Sequence, residues 1–154
     1  MRRKYLCLMI MAVIMLMAGI YLQAGREVSV ETMYEGSYGD KQVEHIILVA
    51  NKLFIWDKEK FAREIIQQCI DNKLHGIRFS YDYYEPAEFN ITVYLDEYSW
   101  KYGKEDFIIH YTQDRENNYR YSALKNPEMF TLTLEEGGDS LMRPDAYGAN
   151  PSGR

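Results

Sequence analysis

The stretch from Trp56 to Leu74 constrains the fold more than any other. Phe61, Ala62, Ile65, Ile66, Cys69 and Ile70 recur at three- and four-residue spacing, which lines one face of an α-helix. Asp57 is placed to act as N-cap, its carboxylate accepting free N–H groups of the first turn. Trp56 then falls at N′ and Phe61 at N4, the pair expected to form a hydrophobic staple. Asn72 reads as a left-handed C-cap, and Gly76 as a second stop. A helix with a single apolar face has to cover something, and the β-rich segments on either side are the candidates.

Three strands are expected after the helix. In 77–83, Ile77, Phe79, Tyr81 and Tyr83 alternate with Arg78, Ser80 and Asp82. In 89–96, Phe89, Ile91, Val93 and Leu95 alternate with Asn90, Thr92, Tyr94 and Asp96. In 106–113, Phe107, Ile109 and Tyr111 share a face. Period-two patterns with one apolar side suit an antiparallel sheet wet on its other face. The links 84–88 and 97–105 are short enough for hairpin-type connections. Residues 129–134 read as a last strand, with Phe130, Leu132 and Leu134 on one face, and 119–123 as another short one.

Before the helix, residues 43–55 fit either element. Val43, Ile46, Ile47, Ala50, Leu53 and Phe54 have helical spacing, but the β-branched cluster at 46–49 favours a strand. Residues 24–42, punctuated by Gly25, Gly36 and Gly39, read as a tether with at most one short strand at 27–30.

The N-terminus is a separate unit. Arg2, Arg3 and Lys4 precede Tyr5 to Leu22, which carry no charge. Basic-then-apolar is the layout of an export signal. The run is long for a cleaved signal, and cutting after Ala24 would put Leu22 at the −3 position, where a small residue belongs. At a rise of 1.5 Å per residue it spans roughly 27 Å, enough for the hydrocarbon core. An uncleaved anchor is the favoured reading, a cleaved signal the alternative. The basic flank puts the N-terminus in the cytoplasm and the rest outside.

Fold class and organisation follow. The chain is expected to be α+β, with one amphipathic helix packed on an antiparallel sheet of about four strands, behind an N-terminal transmembrane or signal helix. Residues 1–25 are the anchor or signal, 26–42 a linker, 43–134 a small extracytoplasmic domain, and 135–154 a polar tail. The tail (Glu-Glu-Gly-Gly-Asp, then scattered Pro and Gly) loses apolar spacing and is expected to be disordered.

Charge and residue inventory narrow the function. The chain carries −5; without its first twenty-five residues it holds fifteen bases against twenty-three acids, a net of −8. An acidic domain repels phosphate backbones, so no nucleic-acid partner is expected. Cys7 lies in the apolar run and Cys69 on the helix's apolar stripe, so the domain is expected to fold without a disulfide. Cys69 could be a nucleophile with His45, His75 or His110 as base, but its place on the buried stripe points to a packing role. No His pair has metal-ligand spacing, and the acid pairs fall in turns. Hence no catalytic residue, metal or cofactor is assigned.

The remaining signal is aromatic. Nine of the fourteen tyrosines lie between Tyr81 and Tyr121. Tyr98, Trp100 and Tyr102 alternate in the connection 97–105. If the flanking strands run into it, all three share one side and form a partner-binding edge, with Asp96, Glu97, Lys101, Lys104, Glu105 and Asp106 as a charged rim. The leading reading is a membrane-tethered extracytoplasmic binding or interaction module, non-enzymatic. It would be held in the membrane through residues 5–22 and bind an envelope protein or polysaccharide. The alternative is a small exported hydrolase acting on cell-envelope polymers through acidic residues.

Overall fold

A computed structural model describes residues 2–39, 41–113 and 119–138. A long helix, α1 (Arg2–Ala24), leads into β1 (Ser29–Tyr38) and β2 (Lys41–Val49). Helix α2 (Lys58–Ile70), β3 (Glu85–Tyr94), the short α3 (Glu97–Lys101), β4 (Phe107–Gln113), a 3-10 turn at Pro127–Met129 and β5 (Phe130–Glu136) follow. Among the described residues the sheet has five strands in the order β1-β2-β3-β4-β5. The fold is α+β with an N-terminal apolar helix.

Helix α2 forms as its sequence dictates. Asp57 Oδ1 accepts from the Lys60 N–H at 2.8 Å, satisfying one of the orphan donors of the first turn. At the other end Asn72 takes φ 54°. Its N–H reaches the Cys69 carbonyl and that of Lys73 reaches Gln68, the paired bonds of a Schellman ending. Phe61, Ala62, Ile65, Ile66 and Cys69 are buried. They pack on Ile46, Leu48, Phe89, Ile91, Val93, Phe107 and Ile109 from β2, β3 and β4. Each of the large aliphatic and aromatic side chains contributes about 1.5–3 kcal/mol by leaving water, and Ala62 less.

All neighbouring strands run antiparallel except β2 and β3, which are parallel. A parallel pair needs a crossover, and α2 provides it. This differs from the wholly antiparallel sheet expected from the sequence. It also moves several elements. Residues 77–83 form no strand. Phe79 is buried, but its N–H and carbonyl are held by the Asn72 side chain at 2.9 and 2.8 Å rather than by a neighbouring strand. Tyr81 stacks on Phe79 and donates to the Cys69 carbonyl at 2.7 Å. The alternation there serves a loop that closes the far end of the core. Residues 119–123 also form no strand; the Ala123 N–H bonds the Pro86 carbonyl and that of Tyr121 bonds Gln113 Oε1.

The segment 26–42, expected as a linker, instead carries the ten-residue β1 and the start of β2. Of residues 43–55, expected as strand, 43–49 are strand, and 50–55 form neither strand nor helix but the connection to α2. Strand β5 continues to Glu136, and the tail expected to be disordered lies from residue 139 onward outside the described residues. Trp56 does not staple α2: it is 88% exposed and meets Phe54 instead.

Helix α1 includes a candidate span, Tyr5–Ala24, with no part of its apolar window buried against the domain. Such a helix is long and apolar enough to cross a membrane or to act as a signal sequence.

Candidate functional site

The three aromatic residues singled out from the sequence lie on and just after α3, a single helical turn. Asp96 caps it, accepting from the Ser99 N–H at 2.7 Å. The helical period overrides the alternation. Tyr98 and Tyr102, four residues apart, come together with ring centroids 4.5 Å apart, while Trp100 falls between them in sequence and turns to another side. All three reach solvent: Tyr98 is 62%, Tyr102 46% and Trp100 38% exposed. Lys104 Nζ sits 6.0 Å from the Tyr98 ring centre, the range of a cation–π contact. Glu97, Tyr98, Trp100 and Lys101 line a shallow open groove. The expected flat edge is therefore a small aromatic knob beside a groove.

The face of the sheet turned away from α2 carries a second cluster. Register places Tyr34, His45, Asn90, His110 and Thr133 in one row across the strands. Tyr34 and His45 stack at 4.6 Å with their rings nearly parallel. Asn90 Nδ2 donates to Glu88 at 2.7 Å; a carboxylate only accepts, so this fixes the amide with Oδ1 toward His110 Nδ1, 2.7 Å away. That ring nitrogen must then carry the proton. Burial pushes the His45 pKa down, which Glu88 partly offsets. Beside this row lies a small hollow of about 60 Å³ lined by Tyr34, His45, Asn90, Thr92, Tyr94 and Glu105 among others. The row can hydrogen-bond a polar ligand. It contains no cysteine or serine, and no group of three His, Cys, Asp or Glu able to hold a metal ion occurs among the described residues.

A third feature escaped the sequence reading altogether. Glu44 points to the core side of β2 and is fully buried, and neither carboxylate oxygen has a hydrogen-bond partner within normal distance among the described residues. Desolvation and the neighbouring Glu35 push its pKa up to about 7, against a smaller lowering influence from the Tyr84 hydroxyl. Glu35 stands opposite it on β1, and the Tyr84 hydroxyl donates to Glu35 at 3.4 Å. The sequence signal is weak: Glu44 stands between Val43 and His45, in period-two register with Ile46 and Leu48, so an alternating strand puts it on the apolar face, where a charge has to be explained. Cys69, by contrast, is where the sequence put it. It is buried, with its thiol pKa pushed up by desolvation and then by Glu44, the opposite of a reactive setting.

Comparison with protein-family models gives no match, and comparison with curated proteins and with solved structures gives no significant match either.

Proposed function

We propose that the chain is a membrane-tethered extracytoplasmic binding module, with α1 as an uncleaved anchor and the sheet domain outside the cell membrane. The observation that carries this reading is the span Tyr5–Ala24 followed by β1 at Ser29. With so few residues between them, the domain sits directly on the bilayer rather than at the end of a tether. The basic residues before the span favour a cytoplasmic N-terminus. Tyr98, Tyr102 and Trp100 are the proposed contact surface: exposed aromatics with polar tips beside charged residues suit a specific interface. Ser29 pairs with Val49 and Val49 with Tyr94, so α3 leaves the same end of the sheet that α1 enters. A partner reaching it stands at the membrane surface, which favours another envelope protein over wall polysaccharide.

A photo-crosslinker in place of Tyr98, in the full chain in intact membranes, tests this. A discrete adduct that Trp100→Ala abolishes supports the reading. A folded, membrane-bound chain that yields no adduct contradicts it.

One observation favours a second reading, a small hydrolase. Glu35 and Glu44 form a carboxyl pair with a raised pKa on one member, a feature of general acids, against which stands the complete burial of Glu44. Under that reading Glu44→Gln abolishes an activity on envelope polymers; under the first it changes stability alone.

A further inference from the structure

The β2–α2 connection presents an apolar cluster on an acidic domain. Leu53 is 52%, Phe54 40% and Trp56 88% exposed, and Phe54 and Trp56 meet edge to face at 4.6 Å. Grouped exposed apolar residues mark a contact surface. Here the group is continuous with α1: Leu53 and Phe54 share one apolar groove with Met15, Leu16 and Ile20.

The loop is also fastened to the end of the helix. Gln23 Nε2 donates to the Phe54 carbonyl at 2.9 Å, and Gln23 Oε1 accepts from the Leu53 N–H at 3.2 Å. Lys52 Nζ donates to the Gln23 carbonyl at 3.2 Å, where the last turn of α1 leaves carbonyls unpaired. Backbone groups near hydrocarbon must find partners other than water, and Gln23 supplies two of them. Arg26 Nη2 donates to Asn51 Oδ1 at 2.8 Å. Arg26 and Lys52 thus place two cations beside the C-terminal end of the span, the level at which lipid phosphates lie.

We propose that Leu53, Phe54 and Trp56 are a second membrane foot, seated in the interfacial zone of the bilayer that α1 crosses. The inference rests on the reading of α1 as an anchor. Gln23 and Ala24 end the span, so a loop bonded to Gln23 lies at the boundary between hydrocarbon and headgroups. Tryptophan is enriched at that depth because its ring is apolar and its N–H needs a partner. Two points of attachment, the helix and the loop, hold the domain in one orientation and keep the α3 end of the sheet toward the lipid surface.

The test uses the full chain in phosphatidylcholine vesicles. Trp100→Phe leaves Trp56 as the sole tryptophan. Its emission is expected to shift to the blue, to lose intensity when the lipid chains carry bromine, and to resist quenching by aqueous iodide. If Trp100→Phe fails to fold, subtracting the signal of a Trp56→Phe chain from that of the natural chain gives the same reading. A chain that does not float with the vesicles overturns the anchor reading itself. A chain that floats with Trp56 open to iodide and untouched by bromine overturns the second foot alone. A Trp56 shielded from both quenchers means that protein covers the loop, and overturns it too.

Discussion

Glu35 and Glu44 face each other across β1 and β2, and only Glu44 is sealed from solvent. Cys69, Tyr81 and Tyr84 surround it, and none is a cation. The neutral acid is the form that suits this site. Its pKa rises from 4.5 to about 7, so its contribution to stability is fully present below pH 4.5 and is lost as pH rises through about 7. The linked change is on the order of 3 kcal/mol at most. Glu44→Gln, a neutral isostere, is expected to match the natural chain at pH 4.5 and to be the more stable at pH 8. Urea melts at the two pH values read this directly. His45, whose pKa is lowered, acts in the opposite sense below its ordinary range and is unchanged in both chains. Equal stability of the two chains at pH 8 would contradict the burial of a carboxyl without a cation beside it.

Ile65 is 2% exposed on the α2 stripe. Ile65→Asp buries a charge with no partner, which costs several kcal/mol or more. Loss of the cooperative melting transition is the expected outcome. A mutant that melts like the natural chain would mean that another face of α2 meets the sheet.

The Cys69 thiol is expected to resist maleimide in the native domain and to react once the chain is unfolded. Cys69→Ala removes a small buried group and is expected to cost about 1 kcal/mol. Rapid labelling of the folded protein would revive the nucleophile reading.

Trp100→Ala is expected to cost at most about 1 kcal/mol, because the side chain is partly exposed and stands on a surface turn. A loss of about 3 kcal/mol, the size for emptying a core aromatic site, would make Trp100 scaffolding and remove it from the contact surface. Phe107→Ala is the reference, since Phe107 is fully buried against Phe61.

The elements legible in the sequence are those whose local signals agree. Helix α2 has a cap, a period and a left-handed ending, and all three act together. Strands β3, β4 and β5 alternate cleanly because one face meets α2 and the other does not. Residues 77–83 alternate as well, yet their partners are the side chain of Asn72 and the end of α2, and no local pattern distinguishes a strand from a loop packed on a core. The parallel pairing of β2 with β3 is set by where the crossover lands, which is a tertiary choice. The same holds for α3. Period-two aromatics suggested an extended edge, while Asp96 in a cap position followed by Glu97 and Ser99 was a helix signal that the aromatics masked. Strand β1 is polar and glycine-containing, and only its pairing with β2 makes it a strand. Glu44 sits among Gln42, Val43 and His45, where nothing local but its register with Ile46 and Leu48 marks it as buried; its burial is set by the packing of β2 against the rest of the core.

The proposal that the domain stands outside a membrane crossed by α1 has a decisive measurement. Membranes from cells expressing the full chain are extracted with alkaline carbonate, and intact cells or spheroplasts are treated with protease. The full-length chain is expected to stay in the membrane pellet, and its C-terminal domain to be cleaved from outside without lysis. Recovery of the chain in the soluble fraction, or a domain that protease reaches only after the membrane is broken, would contradict it.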